Sequence, residues 1–410
     1  MPFSSLGLSP ALLRALSARA YTAPTPIQAA AIPAVLQGRD VLGSAQTGSG
    51  KTLAFALPLL QQLAQTPAEK PRRARALVLV PTRELAAQVG DEFRSLAQSL
   101  GASLKVTVVF GGVSINPQLM GLRGGTDIVV ATPGRLLDLL EHNGLTLAGV
   151  QVLVLDEADR LLDLGFAEEL ERILAQLPPR RQSLFFSATF PPAVQALAQL
   201  LLQDPLRIEV LPQTQNEPDI VQRAIAVDAG RRTQLLRHLI TQEHWGRVLV
   251  FVATKHAAEI VADKLRKADI HAEPFHGELS QGKRSQVLAD FKTERITVVV
   301  ATDVAARGLD IAQLPVVVNY GLPRSTSDYT HRIGRTGRAG ASGLAVSLVS
   351  AGTEAHFRLI EKRQGLQLAR EQIPGFEPAE AAPAAAGTGG IKGKRPSKKD
   401  KLRAAAARGQ

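Results

Sequence analysis

Val41-Leu42-Gly43-Ser44-Ala45-Gln46-Thr47-Gly48-Ser49-Gly50-Lys51-Thr52 is the stretch that decides how this chain is read. Val41 and Leu42 form a short apolar lead-in, and a helix-forming run begins at Leu53. Gly48 and Gly50 let the backbone approach a ligand closely, so that successive N–H groups can point at phosphate oxygens. The start of the following helix adds its positive dipole end. Ala45, Gln46, Thr47, Gly48, Ser49 and Gly50 would line such a cradle. Lys51 would reach the β and γ phosphates of a nucleotide, and Thr52 would hold Mg²⁺. The strict pattern opens with Gly where this sequence has Ala45.

About a hundred residues on, Val152-Leu153-Val154-Leu155 reads as a buried strand, and Asp156-Glu157-Ala158-Asp159 follows at once. A carboxylate at the end of an apolar strand is where a phosphate-loop NTPase places its Mg²⁺-binding acid. Asp156 is therefore read as the metal-side carboxylate, and Glu157 as the group that orients or deprotonates the attacking water. Acidic residues also suit a helix N-terminus, but that reading leaves the pairing with Lys51 unexplained.

At 410 residues the chain suits two domains and a tail. The absence of cysteine excludes disulfides and thiolate metal sites and fits a reducing, cytoplasmic setting. The N-terminus MPFSSLGLSPALLRAL lacks a basic region before an apolar core, and no apolar run nears membrane-spanning length. Neither a signal peptide nor a membrane association is expected. The net charge is +11, of which +7 falls in residues 392–410, where eight Lys and Arg stand against Asp400. The tail is thus the more obvious polyanion-binding element, and the globular part must bind any nucleic acid through local patches.

Apolar, β-branched runs occur at 76–80, 106–110, 127–131, 150–155 and 183–186, with helical spacing between most of them. This alternation predicts a mostly parallel sheet covered by helices. Residues 211–219, LPQTQNEPD, read as a linker. The pattern then restarts at 247–253, 296–301, 316–320 and 343–349. The expected organisation is a first α/β domain over 1–210, a second over 220–376, and a disordered basic tail over 377–410.

The unusual residues follow the strands. Pro81 to Glu84, Gly111-Gly112, Thr132 to Arg135, Asp156 to Asp159 and Ser187 to Thr189 come directly after strand runs. In the second half, Thr254-Lys255 and Thr302 to Asp310 do the same. A parallel sheet puts all strand ends on one edge, where ligands bind. The two domains are expected to face each other across a cleft lined by both sets.

With PTPIQ at 24–28, AQTGSGKT, PTREL, TPGR, DEAD, SAT, the segment 302–310 and HRIGRTGR at 331–338 in this order, the chain resembles the DEAD-box RNA helicases of superfamily 2. Its overall run is most similar to the bacterial RhlE-like subgroup, and the resemblance spans Phe3 to Arg338. It implies two tandem RecA-like domains, with ATP, Mg²⁺ and RNA as ligands. Gln28 resembles the residue that gives adenine preference, and an amide can meet adenine's N7 acceptor and N6 donor together. The motif around Gln28 includes Thr25. Phe3 stands at the family's upstream aromatic position, where core packing accounts for it equally well, and Tyr21 lies near where the base would stack. Ala20 replaces the glycine usual before that aromatic.

Arg335 and Arg338 resemble arginine fingers for the γ-phosphate, and Asp310 the group that meets the ATP ribose. Ser187, Thr189 and His331 resemble coupling elements, although burial alone would account for a lone histidine. Arg83, Gly112, Thr132, Arg135, Thr302 and Arg307 resemble contacts to the RNA backbone, which carry no base identity. Aromatics at 4% leave no ladder for base stacking. The resemblance implies an RNA-stimulated ATPase that opens short duplexes or remodels RNA–protein complexes; a monomer is expected because no dimerisation segment stands out. A DNA-directed superfamily 2 ATPase and an RNA-annealing protein are the alternatives weighed.

Overall fold

The first seven strands are β1 (Val41–Ser44), β2 (Ala76–Leu79), β3 (Val106–Val109), β4 (Ile128–Ala131), β5 (Val152–Leu155), β6 (Gln182–Ser187) and β7 (Leu206–Glu209). They pair in the order β3-β4-β2-β5-β6-β1-β7, and every neighbouring pair is parallel. The second sheet holds β8 (Ile220–Ala226), β9 (Val248–Val252), β10 (Ala272–Phe275), β11 (Val298–Thr302), β12 (Val316–Asn319), β13 (Gly343–Val349) and β14 (Arg370–Glu371). Its order is β10-β11-β9-β12-β13-β8-β14, again all parallel. Counted from its own first strand, each sheet runs third, fourth, second, fifth, sixth, first, seventh. These are two tandem RecA-like α/β units. The computed structural model describes residues 2–45, 49–66, 71–101, 103–210, 220–306, 314–337 and 342–379, with the side chain of Ser327 left aside.

The central strands β2, β4 and β5 are buried at every position, as a parallel sheet covered on both faces requires. Alternate residues feed two cores. Val78, Val130, Val154 and Phe186 pack with the helix Lys51–Gln65 on one face. Leu77, Leu79, Val129, Leu153 and Phe185 pack on the other, against helices that include Pro133–Glu141. Truncating one of these leucines to alanine costs about 2–5 kcal/mol.

Four strands went unread in the sequence. β7 and β10 are short edge strands; β7 is polar on one face, and β10 carries Pro274, which an edge tolerates. β14 is two charged residues, and β8 directly follows the polar 211–219 segment. β14 is held by Arg370, which pairs with Glu354 and Glu361 and lies over the Phe357 ring. Beyond it Arg231 lies 5.0 Å from the Phe376 ring centroid. The Asp228 carboxylate accepts from the Ala379 N–H at 3.0 Å. The chain therefore keeps contact with the second unit two residues past Glu377, where the tail was expected to begin. Among the described residues no helix is long and apolar enough to cross a membrane.

Candidate functional site

Because all strands in a sheet are parallel, their C-terminal ends share an edge, and Arg83, Thr132, Asp156, Ser187 and Thr302 stand there. Thr82 caps the helix Arg83–Ser99 by accepting from the Leu85 N–H at 3.3 Å, which sets Arg83 and Glu84 at the mouth of β2. Thr132 occupies the cap position of the helix Pro133–Glu141 beyond β4, with Pro133 in its first turn. Glu157 sits between β5 and the helix Ala158–Asp163 with φ 51°, a left-handed conformation uncommon outside glycine and asparagine.

In the phosphate loop, Gly50 precedes the helix Lys51–Gln65 with φ 88°. The buried Lys51 donates from Nζ to the Ala45 carbonyl at 3.0 Å. Gln28 ties this loop to the segment before it: its Oε1 accepts from the Thr25 N–H at 3.0 Å, and its Nε2 donates to the Gly50 carbonyl at 3.1 Å. A Cβ on Gly50 would lie 2.4 Å from that Nε2. Gln28 is buried; beyond these two bonds its amide keeps one N–H and one lone pair. Ser49 Oγ is buried without a hydrogen-bond partner among the described residues. Phe3 lies in the first core, whereas Tyr21 is 43% exposed. Gln46, Thr47, Gly48, Arg307, Asp310, Arg338, the linker and residues 380–410 lie outside the described residues.

Asp156 is buried at the end of β5, and its carboxyl is raised to about 6, chiefly by burial. Lys51 opposes the rise, and Glu157 adds to it. Burial outweighs the Lys51 charge there, so a further cation would favour the ionised carboxylate. Asp156 and the Thr52 hydroxyl would supply oxygen donors of the kind that suit Mg²⁺. Asp159 is bound to the end of β6. Its Oδ2 accepts from Thr189 N–H at 3.0 Å and from Thr189 Oγ1 at 2.8 Å, and its own N–H donates to Ser187 Oγ at 3.2 Å. Ser187 and Thr189 are thus fastened to the DEAD segment.

The two units meet along a seam. His331 is pushed down to about 4 by burial, then by the nearby Arg160 charge, with Asp159, Arg335 and Glu157 acting on it more weakly. Glu157, Asp159 and Arg160 belong to the first unit, and His331 and the buried Arg335 to the second. Glu84 and Arg284 meet at 2.8 Å across the same seam, both side chains under a tenth exposed. Burial lowers the Arg284 guanidinium, and its charge lies 4.9 Å from the Phe275 ring centroid. Neither Arg284 nor Arg332 was picked out in the sequence. Arg332 is buried and fully bonded: Asp303 at 2.6 and 2.7 Å, Asn319 at 3.0 Å and the Gly321 carbonyl at 2.6 Å. Its signal was present in the second residue of HRIGRTGR, but Asp303 as partner follows only from the fold.

On the first unit, Arg83, Gly112 and Arg135 converge. A Cβ on Gly112, which has φ 74°, would lie 1.9 Å from Arg83 Nη2, so the guanidinium lies against bare backbone. Arg135 is buried, donating to the Val113 carbonyl at 2.7 Å and pairing with Asp138 at 3.3 Å, while its Nη1 has no hydrogen bond among the described residues. Arg135 therefore shapes the 112–113 turn. Thr302 ends β11 on the matching edge of the second unit.

Fold and seam together define a two-domain protein of the RecA-like class. The family model for the DEAD/DEAH box helicase matches residues 25–197, and that for the helicase conserved C-terminal domain matches residues 231–340. The chain is 45% identical to the ATP-dependent RNA helicase SrmB of Escherichia coli, covering 88% of this chain and 81% of that protein. It is 43% identical to the ATP-dependent RNA helicase DeaD of Mycobacterium tuberculosis, over 92% of this chain but only 65% of that one. S. cerevisiae Dbp5 bound to RNA and ADP BeF3 superposes with a TM-score of 0.79 at 30% identity, covering 90% of this chain and 95% of that one. Mss116p bound to ssRNA and AMP-PNP gives 0.79 at 29%, covering 91% and 79%. The chain belongs to the DEAD-box family of ATP-dependent RNA helicases.

Proposed function

We propose that this chain hydrolyses ATP when RNA is bound and uses the cycle to open short RNA duplexes locally or to remodel RNA–protein complexes. The observation that supports this reading most is the seam itself. Glu157 and Asp159 on one unit stand beside His331 and Arg335 on the other, on the edge that also carries Arg83, Gly112 and Thr302. Lys51 would hold the β and γ phosphates, Gln28 the adenine edge, and Arg335 with Arg338 the charge that spreads over the transferred phosphoryl group. Mg²⁺, held by Asp156 and Thr52, would neutralise phosphate charge when bound. Glu157 would orient the attacking water. Asp310 would meet the ribose, and Ser187, Thr189 and His331 would couple the ATP and RNA sites.

Closure of the units over ATP and single-stranded RNA completes the site, and phosphate release reopens it. RNA is held by its backbone, so binding is sequence-tolerant and weakens with salt. The domain limits 1–210 and 220–376, the monomeric state, the cytoplasmic setting, the basic tail as an RNA tether and the RhlE-like placement belong to the same proposal. The test is ATP hydrolysis without nucleic acid, with single-stranded RNA, and with DNA of the same sequence, with GTP as control. Stimulation by RNA alone with GTP inert is expected. Equal stimulation by DNA would favour a DNA-directed superfamily 2 ATPase and overturn the substrate assignment.

A further inference from the structure

Arg160 follows the DEAD segment directly, yet the mechanism above gives it no task. Its side chain is 5% exposed, and its Nε lies 3.5 Å from Glu157 Oε2. Among the described residues, neither Arg160 Nη1 nor Nη2 has a hydrogen-bond partner, and Glu157 Oε2 is likewise buried without one. Arg160 lines a cavity of about 10 Å³ in the seam, whose other walls include Asp303, Asp328, His331 and Arg335 of the second unit. The fork is therefore withdrawn from bulk water at the point where both units meet. Native proteins rarely leave a buried guanidinium in that condition without a polar partner. Space of this size admits one water molecule with several polar neighbours.

We propose that Arg160 is a positioning residue for the reaction. It holds the Glu157 carboxylate by charge and, through a single water in this cavity, links it to the acidic side chains Asp303 and Asp328 across the seam. The link exists only when the units are together. Opening hydrates the fork and releases Glu157 from one of its constraints, so the orientation of the water-activating carboxylate depends on closure. Arg332 cannot substitute, because its fork is already committed to Asp303, Asn319 and Gly321. This inference rests on the proposed RNA-stimulated ATPase reading.

The test uses the full chain carrying Arg160→Met, Arg160→Lys, Asp328→Asn, or Arg160→Met with Asp328→Asn. RNA-stimulated kcat, KM for ATP and RNA, and ATP affinity without RNA are measured for each, with thermal unfolding as a check on folding. In Arg160→Met, kcat should fall about 10- to 100-fold while ATP affinity without RNA stays within about twofold, the pattern for an interaction used in the transition state. Arg160→Lys should recover part of the loss, because an ammonium restores the charge but not the fork. Asp328→Asn should lower kcat in the same direction, and the double variant should be no worse than Arg160→Met alone. A kcat near the parent's in Arg160→Met would overturn the proposal while leaving the ATPase reading intact. So would equal losses in kcat and RNA-free ATP affinity without rescue by lysine, or additive losses in the double variant. A parent chain that RNA does not stimulate would overturn both.

Discussion

Two side chains at the seam carry opposite titration shifts. Asp156 rises from 3.8 to about 6, burial being the largest cause, so between those values the folded chain keeps a proton that the unfolded chain has lost. Its contribution to stability therefore falls as pH rises through that window. His331 drops from 6.5 to about 4, again chiefly through burial, so the unfolded chain binds the extra proton and stability rises with pH over about that interval. Each shift amounts to about 3 kcal/mol at full extent, and the two largely cancel. Asp156→Asn removes one of them. In Mg²⁺-free buffer, urea unfolding should show the variant gaining about 3 kcal/mol over the parent between pH 4 and 6.5. A constant difference across that range would refute the shift. Lys51, buried between Ala45 and Asp156, is the cation set in the phosphate loop. Lys51→Ala should cut RNA-stimulated turnover by about 10²-fold or more, and near-normal turnover would remove the site assignment.

At the level of single elements, the phosphate loop shows how a short motif is built from two segments far apart in sequence. Gly50 is needed twice: for its left-handed backbone, and because Gln28 reaches its carbonyl where a Cβ would stand. Gly50→Ala should destabilise the first unit by about 2 kcal/mol and lower its melting temperature by about 4–8 °C. It should also weaken ATP binding through the displaced Gln28. Scanning calorimetry with and without ATP checks both, and an unchanged melting temperature would count against the steric reading. The strong strands were legible in sequence because burial on both faces makes them continuous apolar runs. Edge strands such as β10 lack that constraint and carry no such signal. Chemistry-bearing residues at strand ends were legible for a related reason, since a parallel sheet fixes where they must stand. Arg284 was not, nor was the part Arg160 plays at the seam, because nothing in local spacing records a contact across it.

Across the whole molecule, affinity for RNA should divide between the seam and the basic C-terminal segment. Asp228 binds the Ala379 N–H, so a truncation should begin at residue 380 to spare the second unit. Removing residues 380–410 should weaken RNA binding and lower the log–log salt slope by about 4, at about 0.7 for each of six net charges on single-stranded RNA. Basal ATP hydrolysis should persist. Filter binding across a salt series reads this, and an unaltered slope would assign the tail another partner.

The shared strand order of the two sheets has a consequence for how such a chain can change. Both jaws are cut to one pattern, and what distinguishes the nucleotide-gripping jaw from its counterpart grows out of the loops beyond the strands. Exchanges in those loops can alter what is gripped, or how tightly closure is felt, without redrawing either jaw. Exchanges inside the strands disturb grip and framework together. Novelty in this architecture should therefore accumulate along one rim of each sheet, with the opposite rim and the buried strands left to keep the two halves in shape.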